Sequence, residues 1–118
     1  MEGVALENEG GSGTKGSHWE RAELGPEMMT GQMASDSPFS QFTLALLEDS
    51  GWYQPNYELA DKIGWGLHEG CGFVENHCNG QTKYPDFCYN QGEEGCDWDG
   101  TRHLFCGGNA YSDGCMYW

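Results

Sequence analysis

The sequence predicts a fold of few α-helices and long irregular loops, followed by a small disulfide-rich module. Three observations support this α-plus-irregular class. One stretch near residues 38–49 has a strong helical pattern, the 118 residues include 19 glycines, and all six cysteines lie after residue 70. Glycine loses more conformational freedom on folding than other residues, so it favours turns and loops over regular structure. We therefore expect a modest core with small strands at most.

The clearest predicted helix spans residues 38–49. Ser37 is a suitable N-cap, Pro38 fits the first helical position, and Gly51 lies just beyond the end. Apolar residues at helical spacing predict one buried face, formed by Phe39, Phe42, Ala45 and Leu46, which Leu44 and Leu47 widen.

A second, shorter helix is predicted over residues 57–63. Leu59, Ala60 and Ile63 would form its inward face. Gly64 and Gly66 follow and would end it.

The cysteines predict a disulfide framework. They are Cys71, Cys78, Cys88, Cys96, Cys106 and Cys115. An even number of cysteines in a short, glycine-rich segment is typical of proteins from an oxidising compartment, where cross-links stabilise a segment too small to fold by packing alone. The alternative is a zinc-binding cysteine cluster, but no Cys-x-x-Cys pair occurs. The sequence leaves the pairing open.

The charge of the chain excludes some partners. The net charge is −14, from 19 acidic and five basic residues. Such a surface repels phosphate backbones and anionic membranes, so we expect no nucleic-acid partner. We also expect no membrane-spanning helix and find no signal peptide after Met1, because neither a long apolar run nor a basic leader is present. A cysteine pattern of secreted type without a signal peptide predicts that Met1 is not the native start.

A glycine-rich loop at residues 10–16 leads to His18, and two methionines, Met28 and Met29, follow about ten residues later in the sequence. Glycines let such a loop approach other groups closely and present a side chain into a cleft. Neutral imidazole is the commonest metal ligand, so His18 is the candidate ligand. On these residues alone, the alternative is a solvated histidine.

Residues 6–20, LENEGGSGTKGSHWE, resemble the region around the third zinc-binding histidine of the leishmanolysin family of surface metallopeptidases. The resemblance continues through TLALLEDSGWY at residues 43–53 and the pairs Asn56-Tyr57, Trp65-Gly66 and Gly70-Cys71. It covers residues 3–78 well and the remainder loosely.

The resemblance implies that residues 1–68 are the C-terminal part of a metzincin peptidase domain and that residues 69–118 are a cysteine-rich disulfide module. It implies His18 as the third zinc ligand and Met29 as the Met-turn methionine, with Met28 as the less favoured candidate. A metzincin site also needs a His-Glu-x-x-His helix, which supplies two ligands and the general-base glutamate. None of the four histidines begins that motif. The catalytic glutamate would lie upstream, and this chain alone should be inactive.

Two functions follow as hypotheses. In the first, the chain is the C-terminal fragment of a zinc metalloendopeptidase that cleaves protein or peptide substrates with zinc-activated water. One Zn²⁺ would be held only together with the missing N-terminal catalytic segment. The parent protein would be extracellular or on the cell surface, and the sequence leaves open whether its full-length form is anchored to the membrane. In the second, the chain is a non-catalytic secreted or surface module for binding or adhesion, derived from such a protease.

Other candidate ligands lie in the cysteine-rich segment. His68, His77 and His103 lack recognisable ligand spacing, which favours surface residues over a second metal site. Residues 97–100, Asp-Trp-Asp-Gly, match only part of a calcium loop, since the third acidic position and the distant glutamate are absent.

Overall fold

The computed structural model describes residues 3–34 and 36–118. Its regular elements are short and are connected by long loops. In chain order they are α1 (Arg21–Leu24), α2 (Gln41–Asp49), a 3₁₀ turn (Tyr57–Leu59), α3 (Cys71–Asn76), β1 (Phe87–Cys88), β2 (Glu94–Cys96), β3 (His103–Phe105) and β4 (Met116–Tyr117). The predicted class of few helices and small strands is confirmed. The short helices α1 and α3 had no clear signal in the sequence.

Helix α2 begins later than predicted, and its N-cap is Ser40, not Ser37. The Ser40 side chain accepts the N–H of Phe42. Pro38 stays outside the helix because its carbonyl accepts the N–H of Met28, and the Phe39 carbonyl accepts the N–H of Asp61. These contacts with distant residues hold residues 38–40 extended.

The predicted buried face of α2 is confirmed at Leu44 and is wrong at Phe42 and Leu46. Thr43 and Leu44 are buried, whereas Phe42 and Leu46 are 37% and 51% exposed. Thr43 is inside because its hydroxyl donates to Glu27 and accepts the indole N–H of Trp19. A buried polar contact of this kind leaves no trace in an apolar periodicity.

The helix predicted over residues 57–63 is reduced to the single 3₁₀ turn. Asn56 caps it by accepting the N–H of Glu58. The chain becomes extended at Ala60, and Asp61 pairs with Ser40 in a parallel bridge. Leu59 is 77% exposed, so the prediction that its side chain faces the core is also wrong. Pairing with the segment before α2 has taken precedence over helical propensity here.

Two small antiparallel sheets form the second half of the chain. Strand β1 pairs with β4, with Phe87 opposite Tyr117, and β2 pairs with β3, with Gly95 opposite Leu104. The core lies beside the first sheet. Its buried members are Phe73, Tyr84, Phe87, Cys115 and Tyr117.

Trp65 joins this core to the first half of the chain. Its ring makes edge contacts with Phe87 and Tyr117 at centroid distances of 5.3 and 5.4 Å. Its indole N–H donates to the carbonyl of Ala22 in α1. Edge-to-face packing of this kind is favourable for aromatic rings, so the core continues into the segment around α1.

Two disulfides cross-link the second half. Cys78 is bonded to Cys115, and Cys88 is bonded to Cys106. Cys71 and Cys96 are exposed free thiols, which differs from a framework of six paired cysteines. Cys71 begins α3 and Cys96 ends β2, so each lies at the solvent-facing end of a short element. None of the described helices is long and apolar enough to cross a membrane.

Candidate metal-ligand site

The glycine-rich loop turns the chain back on itself before His18. Gly10 and Gly16 have positive φ angles of 79° and 72°, which glycine adopts at little cost. The N–H of Gly16 donates to the carbonyl of Glu7, and the N–H of Glu7 donates to the carbonyl of His18. The turn therefore lays residue 6 beside residue 19 and holds the backbone of His18 in a short antiparallel bridge.

The imidazole of His18 is oriented by the same loop. Its Nδ1 lies 3.2 Å from the carbonyl oxygen of Thr14 and 3.0 Å from the hydroxyl of Ser17. A carbonyl only accepts hydrogen bonds, so the proton belongs on Nδ1. Nε2 then keeps its lone pair, as in metal-binding histidines whose other ring nitrogen donates to a backbone carbonyl.

Met29 lies next to His18 through a backbone contact. The N–H of Trp19 donates to the carbonyl of Met29 at 2.8 Å, and Trp19 forms a parallel bridge with Thr30. His18 and Met29 line one groove of about 230 Å³, which Met28 does not line. Its other walls are Leu6, Ser17, Trp19, Phe39, Thr43, Leu46 and Leu47. We call this the His18 groove; its wall is mainly apolar.

A buried carboxylate, Glu27, connects the turn at Met29 to α2. One of its oxygens accepts the N–H and the hydroxyl of Ser40 and the hydroxyl of Thr43. The other accepts the N–H of Met29. Glu27 is fully buried, and four donors compensate the cost of its desolvation. Glu27 could not be identified from the sequence, because an isolated glutamate in a loop gives no signal of burial.

A second group of acidic side chains lies behind the loop. Glu20 is 2% exposed and its carboxylate accepts the N–H of Ala22 at the start of α1 and the amide of Asn8. Burial, together with the nearby charges of Asp113 and Glu7, raises the pKa of Glu20 to about 7, although the hydrogen bond from the N–H of Ala22 opposes this shift. The burial of Glu20, like that of Glu27, could not be predicted from the sequence.

The other histidines do not join His18. His103 pairs with Glu94 at 3.3 Å, His68 is exposed, and His77 ends α3. Within residues 3–34 and 36–118, no group of three or more His, Cys, Asp or Glu side chains could hold a metal ion. The described residues therefore provide no complete set of ligands, and His18 stays a predicted ligand.

The partial calcium-loop pattern has a structural explanation. The carboxylate of Asp97 accepts the N–H groups of Thr101 and Arg102, and Asp99 accepts the N–H and hydroxyl of Thr101. These bonds close the turn between β2 and β3. Such short-range contacts are typical of aspartate in turns.

Comparison with known proteins identifies the family. The leishmanolysin family model matches residues 1–114. A leishmanolysin-like peptidase of Caenorhabditis elegans is 44% identical over 94 residues, which cover 72% of this chain and 14% of that protein. A leishmanolysin-like peptidase of Drosophila melanogaster is 45% identical over 84 residues, covering 71% of this chain and 12% of that protein.

A more distant relative gives the same result. Leishmanolysin of Leishmania donovani is 34% identical over 96 residues, covering 79% of this chain and 16% of that protein. The chain thus spans only a small part of the length of the curated relatives it matches. No solved structure gives a significant match. The resemblance seen in the glycine-rich loop is confirmed along nearly the whole chain, and the chain belongs to the leishmanolysin family.

Proposed function

We propose that this chain is the C-terminal part of a zinc metalloendopeptidase, and that His18 is one of the three protein ligands of its catalytic zinc. The observation that carries the proposal is the geometry of His18. Its Nδ1 is held by the Thr14 carbonyl, so Nε2 keeps its lone pair, and His18 lines the His18 groove. Membership of the leishmanolysin family supports the same role.

Met29 forms the floor beneath the metal in this proposal. It lines the His18 groove together with His18, whereas Met28 does not, which supports Met29 as the Met-turn residue. Glu27 positions this floor, because it accepts the N–H of Met29 and binds α2 at the same time. A thioether provides an apolar, polarisable surface without competing as a charged ligand.

The remaining ligands come from a His-Glu-x-x-His helix in another part of the longer protein. That helix supplies two histidines and the general-base glutamate. The His18 groove supports this arrangement, because Leu46 is 51% exposed on its wall and would be covered by a packed helix. When bound, the zinc activates a water molecule for attack on a peptide carbonyl.

In this proposal residues 1–68 complete the peptidase domain and residues 69–118 form the disulfide module. The substrates are proteins or peptides. The two disulfides support an oxidising location, outside the cell or on its surface.

The test uses the full-length protein that contains this chain. His18→Ala should remove zinc and proteolysis together, because a catalytic zinc needs three protein ligands. Zinc content is measured by mass spectrometry after dialysis, and proteolysis on unfolded casein. The matched control is His103→Ala, which removes an exposed histidine that pairs with Glu94 and contacts the ring of Phe105, and it should keep both properties.

Retention of stoichiometric zinc by the folded His18→Ala protein would contradict the ligand assignment. If the wild-type protein binds no zinc and cleaves no substrate, the non-catalytic binding module becomes the better description.

A further inference from the structure

A second cavity, separate from the His18 groove, has a volume of about 450 Å³. It shares no lining residue with that groove. Three tryptophans line it, Trp65, Trp98 and Trp118. A cavity of this size is large enough for a side chain or a small ligand. We call it the tryptophan cavity.

Two of the tryptophans, Trp65 and Trp118, are held in place by their surroundings. Trp65 donates to Ala22 and packs into the aromatic core. The ring of Trp118 lies against the backbone of Gly95, where a side chain larger than hydrogen would collide with it. The cavity therefore presents fixed indole surfaces, and indole faces attract cations through their quadrupole.

Two carboxylates on the wall take part in no ion pair within the part of the chain that the structure describes. Asp86 and Glu69 both line the tryptophan cavity. The Asp86 carboxylate accepts the N–H of Gly66, and among the ion pairs of residues 3–34 and 36–118 it takes part in none. Burial raises the pKa of Asp86, and the negative charge of Glu69 raises it further. A cation bound beside Asp86 and Glu69 would favour the charged form of both carboxylates, which burial and their mutual repulsion oppose.

The two arginines on the wall are already engaged. Arg102 pairs with Asp97 at 3.2 Å and with Asp36. Arg21 donates to the carbonyl of Gln32, and its guanidinium lies 5.4 Å from the ring centre of Tyr117. Both arginines therefore interact with other residues of the chain. Asp86 and Glu69 stay available to bind a positively charged ligand.

We propose that the tryptophan cavity binds a lysine or arginine side chain from a basic segment of a protein partner. Charge complementarity supports this occupant, since the whole chain carries a net charge of −14. A second depression adjoins the cavity at Trp98 and is lined by Asp36, Asp61, Asp99 and Lys62. Asp36 pairs with Arg102, whereas Asp61 and Asp99 take part in no ion pair among the described residues. A segment with more than one basic residue would therefore contact negative charge on both sides of Trp98.

The test follows the five indole N–H signals of the ¹⁵N-labelled chain by nuclear magnetic resonance. The probe is acetyl-Gly-Arg-Gly-amide, and its control is the same peptide with citrulline, which keeps the shape and lacks the charge. The arginine peptide should shift the signals of Trp65 and Trp98. The signal of Trp52, which is 85% exposed and lies outside the cavity, should not move.

Variants connect the shifts to the carboxylates. Asp86→Asn keeps the acceptor for Gly66 and should weaken binding about tenfold, since a hydrogen bond to a charged group is lost. Glu69→Gln should also weaken binding and serves if Asp86→Asn fails to fold. Glu58→Gln removes an exposed charge elsewhere and should leave the affinity unchanged.

Three results would overturn the proposal. They are equal affinity for the citrulline peptide, unchanged affinity in both folded variants, and absence of a saturable shift at Trp65 and Trp98. None of these readouts involves His18 or zinc, so the proposal stands or fails independently of the proposed protease function.

Discussion

The backbone N–H of Trp19 donates a 2.8 Å hydrogen bond to the carbonyl of Met29, and this bond places His18 beside the methionine turn. Ten residues separate the two partners along the chain, and α1 lies between them. The indole of Trp19 also donates to Thr43, so the same residue ties the loop to α2. The His18 groove is thus assembled from three segments, each held by polar contacts that are buried.

Glu27 should be essential for this assembly. Glu27→Gln leaves one oxygen where the carboxylate has two, so it loses acceptors for Met29 or for Ser40 and Thr43. We expect a loss of about 3 kcal/mol in the free energy of unfolding, because buried donors are left without partners. Urea denaturation measures it. Glu58→Gln, at an exposed position, is the control and should change stability little. Equal stability of the two variants would show that the buried bonds are unimportant.

Gly25 should not tolerate a side chain. Its φ is 51°, and a Cβ built there lies 2.3 Å from the ring of Trp65. Trp65 is fixed in the aromatic core, so Gly25→Ala should destabilise the chain by about 3 kcal/mol through overpacking and backbone strain. Gly51→Ala provides the control, because φ is 74° there but no atom lies within 4 Å of the added Cβ. It should cost only about 1 kcal/mol in thermal or urea unfolding. Similar losses at both positions would argue against the contact with Trp65.

Glu20 should make stability fall as pH rises. Its pKa is about 7 in the folded chain against an ordinary value of 4.5, so the folded state holds the proton more tightly. Stability from this group is highest below pH 4.5, declines as the pH rises toward 7, and is constant above it. The difference amounts to about 3 kcal/mol.

Glu20→Gln should therefore flatten the pH dependence in that interval. The measurement is the urea midpoint from pH 4 to pH 8, compared with the unaltered chain and with Glu58→Gln. A slope that persists undiminished in Glu20→Gln would assign the effect to other groups.

The two disulfides should contribute unequally. Cys78–Cys115 closes 37 residues and Cys88–Cys106 closes 18. Loop-closure entropy then gives about 4 kcal/mol for the first and about 3 kcal/mol for the second. Paired serine substitutions, one disulfide at a time, and denaturation in urea test this order. Cys71→Ser is the control, because that thiol is exposed and unpaired. A larger loss on removal of Cys88–Cys106 would contradict the entropic order.

Part of the fold was predictable from local patterns. Helix α2 was predicted because its apolar spacing and the glycine after it are local signals, and residues 41–49 are helical. Its first turn was predicted wrongly because Ser40 is held by Glu27, which is 13 residues away. The helix predicted after Tyr57 is wrong for the same reason, a contact with residues distant in sequence. Asp61 pairs with Phe39 and Ser40 instead of continuing the helix.

The family, the class of short helices and loops, and His18 as the candidate ligand could all be predicted from the sequence alone, because these features depend on short motifs of neighbouring residues. The pairing of the cysteines, the contact of His18 Nδ1 with the Thr14 carbonyl and the burial of Glu20 and Glu27 become visible in the folded chain alone. The reason is the range of the interactions. A turn or a helix cap is chosen by neighbours a few residues apart, whereas a buried carboxylate or a disulfide is stable only where the whole fold brings its partners together.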